Sequence, residues 1–308
     1  MHLKPRSSRP PQTAAATETL SCTIYALSPE LLAQIFFLCR DAVHPPARRP
    51  TGLADSALSW VLVSHVCARW RLIVFEWAGL WSHISLSPAS PIPRPWVREL
   101  FARSRSAPLF VSIALPPFGS DAAWLAELLA THTYHIEHLE LAGAPVALHA
   151  ILKTLVDPAP TLRTLHIAPT HFITGGVPLV IPPSLFANVT PRLRTLSLKC
   201  AVLPPSCALL RTLRALSVEF PAQRCSRPPR AFLRANAETL SDVLEGMSEL
   251  KTLCLAHCCS GAEVCALQAR REREDGGGMM IKHVTAKSRK EGETDGTGGE
   301  DLQDEVGL

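Results

Sequence analysis

The chain is poor in the features that mark an enzyme, a membrane span or a secreted scaffold. Tyr occurs twice and aromatic residues make up 6% of 308 positions, too few to offer stacking platforms to single-stranded nucleic acid. No apolar run approaches the roughly 18–20 residues that cross a bilayer. Met1 to Leu20 carries Arg and Lys without a central apolar stretch, so a secretory leader is not expected either. There is no G-x-S-x-G elbow, P-loop, H-E-x-x-H or dinucleotide fingerprint after a strand. The expectation is therefore a non-enzymatic, intracellular protein, cytoplasmic or nuclear, without cofactor or metal. Its ten cysteines, at 22, 39, 67, 200, 207, 225, 254, 258, 259 and 265, are irregularly placed and are expected to stay reduced as small buried hydrophobes.

What is abundant is apolar surface and proline. Hydrophobic residues make up 47% and Pro contributes 27 positions, enough for a sizeable core with many stiff connections and for roughly two domains. The formal charge of +4 is uneven. Residues 270–308 hold 7 Lys/Arg against 10 Asp/Glu, leaving 24 against 17 and a scattered surplus of seven elsewhere. That tail also has 8 glycines and little apolar periodicity, so 269–308 is predicted to be disordered.

The densest information lies between 27 and 84. Ser28 is a plausible N-cap, Pro29 suits the first helical position and Glu30 favours the positive end of the helix dipole. Leu31, Leu32, Ile35 and Phe36 then form a stripe wide enough to meet two surfaces. A second helix is expected from an N-cap near Ser64, with Val66, Trp70, Ile73 and Trp77 along one side and Val63, Cys67 and Val74 widening it. Two helices this short and apolar cannot satisfy one another alone.

These residues resemble the F-box family, and in particular the F-box-like proteins of mushroom-forming fungi. The resemblance is carried by Leu27-Ser28-Pro29-Glu30-Leu31-Leu32, by Val66-Cys67-Ala68-Arg69-Trp70-Arg71 and by Leu80-Trp81. It covers about 60 residues; Pro29 sits one place later than in the commonest spelling, and a Pro- and Arg-rich insert, Arg40 to Asp55, separates the helices. The resemblance implies docking onto a Skp-type adaptor, and through it a cullin, by Leu27, Pro29, Leu31, Leu32, Ile35, Phe36, Val66, Cys67 and Trp70.

A repeat follows. The pattern L-x-x-L-x-L recurs as Ile136/Leu139/Leu141, Leu162/Leu165/Ile167, Leu193/Leu196/Leu198, Leu213/Leu216/Val218 and Leu250/Leu253/Leu255, with steps of 26, 31, 20 and 37 residues between the middle members. This is close to the leucine-rich spacing of about 20–29 but irregular. Each copy reads as a strand with one apolar face, and helices are expected over Val146 to Leu155, Leu233 to Met247 and Trp96 to Phe101, with a further strand over Leu109 to Leu115. Side chains at the x positions should point outward, and Glu140, Arg163, His166, Arg194, Lys199 and Arg214 are the candidates for contact with an unidentified client protein.

Two clusters invite other readings. His132, His135 and His138 are not expected to converge on a metal, because His138 falls at an outward x position of the first repeat copy and imidazoles spaced by three drift around a helix, and Cys254, His257, Cys258, Cys259 and Cys265 lack paired C-x-x-C spacing. Asn188-Val189-Thr190 reads as a turn before Pro191. The predicted architecture is α/β: a disordered start (1–20), an F-box-like helical module (21–84), a short irregular leucine-rich-repeat-like solenoid (85–268) and the charged tail. The expected function is substrate reception for a cullin-RING ubiquitin ligase; the alternative is a repeat-based binding scaffold with no ligase connection, its N-terminal helices serving as a cap.

Overall fold

The computed structural model describes residues 24, 26–43, 59–88, 91–116, 121–170, 179–202, 212–219, 249–256 and 280–284. The fold is α/β, with helices packed on a parallel sheet of eight strands that are added in chain order. Helix α1 (Pro29–Val43) begins where Pro29 predicts. Ser28 Oγ accepts the Leu31 N–H at 3.4 Å, and the same hydroxyl holds the Glu30 carboxyl below its usual pKa. A 3-10 segment over Ser59–His65 leads to α2 (Ala68–Glu76). The expected cap at Ser64 is not used: Ser64 is buried in the 3-10 segment and α2 starts after Cys67 with no side-chain cap. The Ser64 carbonyl instead accepts from Arg71 Nε at 3.1 Å.

α1 divides its apolar residues between two faces. Leu32, Ala33 and Phe36 are fully buried, and Phe36 meets the Trp70 ring at 5.1 Å between centroids. Leu31, Ile35 and Leu38 face away, Leu38 being 70% exposed. The helical angle explains the split, since 31, 35 and 38 share one side and 32, 36 and 40 another. Arg40 closes the inner face although charged. It is 4% exposed, donates from Nη1 to the Gly79 carbonyl at 2.7 Å and from Nη2 to Asp41 Oδ1 at 2.7 Å, and lies 5.0 Å from the Phe37 ring. Gly79 also lets the Phe37 ring lie close, for a Cβ there would sit 3.1 Å from Phe37 Cζ.

Trp81 joins these helices to the sheet. It is 1% exposed, donates its indole N–H to the Val74 carbonyl at 2.8 Å and packs edge-on to Trp60 at 5.1 Å. Two residues on, β1 (His83–Leu86) opens the sheet and pairs with β2 (Leu109–Ala114), with α3 (Arg94–Ser104) between them. α3 and β2 match the predicted Trp96–Phe101 helix and 109–115 strand: Val97, Leu100 and Phe101 are buried, whereas Trp96 is not. Arg103 on α3 places its guanidinium 4.2 Å from the Phe75 ring and 4.9 Å from that of Trp81, reaching back to the helical segment.

The chain continues through α4 (Asp121–His132), a 3-10 turn over Thr133–His135, β3 (Ile136–Gly143), α5 (Pro145–Thr154) and β4 (Thr164–Pro169). α5 is the helix expected after the first copy; Leu148, Ile151, Leu152 and Leu155 face the core, but Val146 is 83% exposed, a correction to its place in the apolar period. Beyond β4 come β5 (Leu179–Val180), β6 (Thr195–Lys199), β7 (Ala201–Val202), β8 (Ala215–Glu219), β9 (Thr252–Ala256) and β10 (Met280–Val284). The main sheet runs β1-β2-β3-β4-β6-β8-β9-β10, all parallel, and β5 pairs with β7 separately. Buried Cys200, at φ 46°, turns the chain from β6 into β7.

Five of these strands are the five copies of the repeat, and their middle residues pair in register: Leu139, Leu165, Leu196, Leu216 and Leu253. The column extends upstream to Val111 and Ile84. Buried and half-buried residues alternate along β2 and β4, so the core lies on one face, under α3, α4 and α5. The tail departs from expectation. Met280–Val284 forms an eighth strand beside β9 within the segment read as disordered, because a short Met-Ile-Lys-His-Val run can complete an open sheet edge despite its charged surroundings. The helix expected over Leu233 to Met247 lies outside the described residues, as do residues 1–23.

The division of α1 gives a direct test. In urea, Phe36→Ala should lower the unfolding free energy by about 3–5 kcal/mol, whereas Leu31→Ala should change it by under about 1 kcal/mol. Equal losses would mean that the assignment of inner and outer faces is wrong.

Candidate functional site

The residues expected to meet an adaptor separate into two sets. Leu31, Ile35 and Val66 are exposed, as is Pro29, while Leu27, Cys67 and Trp70 are half-buried. Leu32 and Phe36 are not available: both lie in the core, Phe36 against the Trp70 ring, which corrects their assignment as contact residues. Val66 does not share a helix side with Trp70, Ile73 and Trp77 as expected, because it falls in the turn between the 3-10 segment and α2, where it is 62% exposed. The same region exposes Leu38, Leu62 (68%) and Leu72, none of them singled out in the sequence. Leu38 was legible, being seven residues after Leu31 and so on its face; Leu62 and Leu72 could not be placed before the 3-10 segment and α2 were oriented. The helical segment thus covers one apolar stripe of α1 and leaves the other in solvent.

The candidates on the repeat also divide. Arg163, Arg194 and Arg214 do not alternate outward within their strands as expected. Arg163 and Thr164 are adjacent, and a period of two cannot place both outside. Each arginine instead precedes its strand, at the edge where the strands begin. There the backbone aligns them. Arg163 N–H donates to Glu137 O, Arg194 N–H to Arg163 O, Arg214 N–H to Arg194 O and Lys251 N–H to Arg214 O, all at 2.8–2.9 Å. Lys251 is thereby a member of the row that sequence reading missed, although the last four copies each spell Leu-(Arg/Lys)-x-Leu-x-(Leu/Ile/Val). Glu137, the extra residue at the irregularity where β3 meets β2, lies 3.2 Å from Arg163. Glu249 lies 3.2 Å from Arg194 and 3.7 Å from Arg214.

Glu140 and His166 occupy the middle of the same sheet face and are paired across β3 and β4. Glu140 accepts from Ser112 Oγ at 2.9 Å. One row away, His83 stacks on Phe110 at 4.6 Å, Phe110 on His138 at 6.5 Å, and His138 lies 5.5 Å from His166. Burial lowers the His138 pKa, neighbouring His166 adds to this and Glu140 opposes it. Lys199 stands apart from the arginine row. It lies at the far end of β6, roughly 16 Å along the strand from Arg194, and pairs with Glu219 at 3.4 Å.

The three histidines fall in three elements: His132 ends α4, His135 lies in the 3-10 turn and His138 is in β3, at the x position of the first copy expected of it. The His132 and His135 rings sit edge to face at 5.2 Å, with Tyr134 4.3 Å from His135. His135 is 4% exposed, and neither of its ring nitrogens has a hydrogen-bond partner among the described residues. Burial, reinforced by His132, pushes its pKa down to about 4. Among the described residues, no three or more His, Cys, Asp or Glu side chains are grouped to hold a metal ion, and no helix is long and apolar enough to cross a membrane. Cys254 is half-buried between Leu253, in the core, and the end of β9.

Comparison of the chain with protein-family models, with curated proteins and with solved structures yields no match.

The buried imidazole predicts a pH dependence of stability. Unfolded His135 titrates near 6.5 and the folded form near 4, so below pH 6.5 the unfolded chain takes up a proton that the native state refuses. Stability is full above 6.5 and declines toward pH 4. Discounted for solvent screening, the loss attributable to His135 between pH 7 and pH 5 is about 1 kcal/mol. Urea titrations at the two pH values should show it in the wild type, and His135→Phe should remove that increment. An identical pH slope in the variant would contradict the assignment.

Proposed function

We propose that this chain is a substrate-receptor subunit of a Skp-cullin-F-box type ubiquitin ligase, binding the adaptor through its N-terminal helices and a client protein through the strand-bearing part. One observation carries the reading: Leu31, Ile35 and Leu38 stand in solvent on α1 while Leu32 and Phe36 are pinned inside. Large apolar side chains aligned on one helix face cost solubility and serve no internal packing, so a second polypeptide is the natural cover. Leu62, Val66 and Leu72 add apolar surface on the neighbouring segments. The motif likeness of Leu27 to Leu32, Val66 to Arg71 and Leu80-Trp81 supports the adaptor as that cover.

For the remainder, a leucine-rich-repeat-like array is supported by the in-register column of Leu139, Leu165, Leu196, Leu216 and Leu253 and by the addition of parallel strands in chain order. In such an array each unit buries its apolar face only against its neighbours. The receptor would do no chemistry itself. It would act by holding a client near a ubiquitin-transfer enzyme and so raising the local concentration of acceptor groups.

A scaffold with a helical cap is favoured by a different observation, the continuity of the core from Leu32 and Phe36 through Trp81 to Ile84 and the strands beyond. Capping uses the inner stripe of α1 and docking the outer, so the two are separable by mutation. Leu31→Lys combined with Leu38→Lys should leave the melting temperature unchanged and reduce co-purification of a Skp-type adaptor by about tenfold or more. Undiminished recovery of adaptor with the folded double variant would refute the ligase reading and leave the scaffold.

A further inference from the structure

The geometry points to a docking edge for an acidic, extended polypeptide segment along the beginnings of strands β4, β6, β8 and β9, with Arg163, Arg194, Arg214 and Lys251 as its cationic contacts. This deepens the client-binding half of the proposed function and is independent of the adaptor.

Three observations carry it. First, the four cations are in register, each backbone N–H donating to the carbonyl of the one before or, for Arg163, to that of Glu137. Neighbouring strands lie about 4.8 Å apart, so the row spans about 14 Å. Second, like charges placed opposite one another on adjacent strands are destabilising. The side chains are half-buried to exposed and support no core, so packing does not account for a cation at all four strand starts. Third, among the described residues Glu137 and Glu249 are the carboxylates paired with this row, two against its four cations. Thr164, Thr195, Ala215 and Thr252, the first outward residues of the same strands, are short. Another backbone can therefore approach the row without displacing bulky side chains.

The spacing selects the ligand's form. Acidic side chains at alternate positions of an extended peptide recur about every 6.6–6.8 Å, so three of them cover the same 14 Å as the four cations. An isolated carboxylate would gain little at a solvent-exposed rim, whereas three held in one segment act together.

The test is fluorescence anisotropy of a labelled peptide of alternating Asp and Ser, titrated with the full chain at low and physiological salt. Binding that weakens with salt is expected, because these charges are exposed and screened. The triple variant Arg163→Gln/Arg214→Gln/Lys251→Gln should bind about tenfold more weakly, while Lys153→Gln on α5 should bind as the wild type does. Arg194 is kept because its Nη1 also donates to the Thr212 carbonyl at 2.8 Å. A peptide of alternating Lys and Ser, which requires no mutant, should not bind. The inference is overturned if the Asp peptide fails to bind the wild type, if the triple variant retains full affinity, or if a single-stranded oligonucleotide of equal charge displaces the peptide at lower concentration. Adaptor co-purification measured on the same triple variant should be unchanged. If the adaptor does not bind even the wild type while the Asp peptide does, the ligase reading fails and the acidic-segment edge stands.

Discussion

The sheet depends on one column of branched apolar side chains. Ile84, Val111, Leu139, Leu165, Leu196, Leu216 and Leu253 lie side by side across seven strands and are each at most 2% exposed. A parallel sheet normally has both faces covered. Here inward and half-buried positions alternate, so the column and its companion two residues on supply the face against which α3, α4 and α5 close. Each strand can bury its share only if the next one is in register, since a slip of one residue would turn the leucines outward. Register is therefore not a detail added to the fold but the condition for having a core. The same register that aligns the leucines inside also aligns Arg163, Arg194, Arg214 and Lys251 at the edge. A functional row on this chain is a by-product of a packing rule, with only the choice of side chain left to vary.

That relation explains which parts could be read in advance. The period of two in L-x-x-L-x-L identifies inward positions whatever the lengths between copies, so β3, β4, β6, β8 and β9 were visible despite steps of 20 to 37 residues. The row of cations was only half visible. Its members are separated by the same irregular intervals, and nothing in a linear sequence states that 163, 194, 214 and 251 become neighbours until the strands are superimposed. Helix α4 was missed altogether although Leu125, Ala126 and Leu129 are buried on it, because so many of its other positions are also apolar that no single stripe stands out. β10 was missed for the opposite reason: its five residues are surrounded by charge and glycine, and compositional reasoning averages over them.

The N-terminal segment illustrates a different limit. Leu31, Leu32, Ile35 and Phe36 are equally apolar, and their spacing shows only that α1 has two greasy sides. Which of the two faces in is decided by residues far along the chain, by Trp70 against Phe36 and by Gly79, whose carbonyl receives Arg40. The burial of a guanidinium at this point follows from satisfaction rather than apolarity. Its Nη1 and Nη2 find acceptors and its plane lies near Phe37, so desolvation is offset by hydrogen bonds.

Rigid coupling between the helices and the sheet bears on how a receptor of the proposed kind would work. Trp81 donates to Val74 and precedes β1 by two residues, and Arg103 lies over both Phe75 and Trp81. These contacts belong to both parts at once, and among the described residues one buried cluster runs from Leu32 and Phe36 through Trp81 to Ile84, which opposes a swing of the helices relative to the first strands. A client held at the strand starts from β4 to β9 would then sit at a fixed offset from anything bound to the outer stripe of α1. For proximity catalysis this matters as much as affinity, because effective concentration falls when the path between two sites is loose and is lost when it cannot span them. In a receptor of that kind the shared aromatic joint would serve function by restricting motion, and its residues would belong to the geometry of binding rather than to ordinary filling.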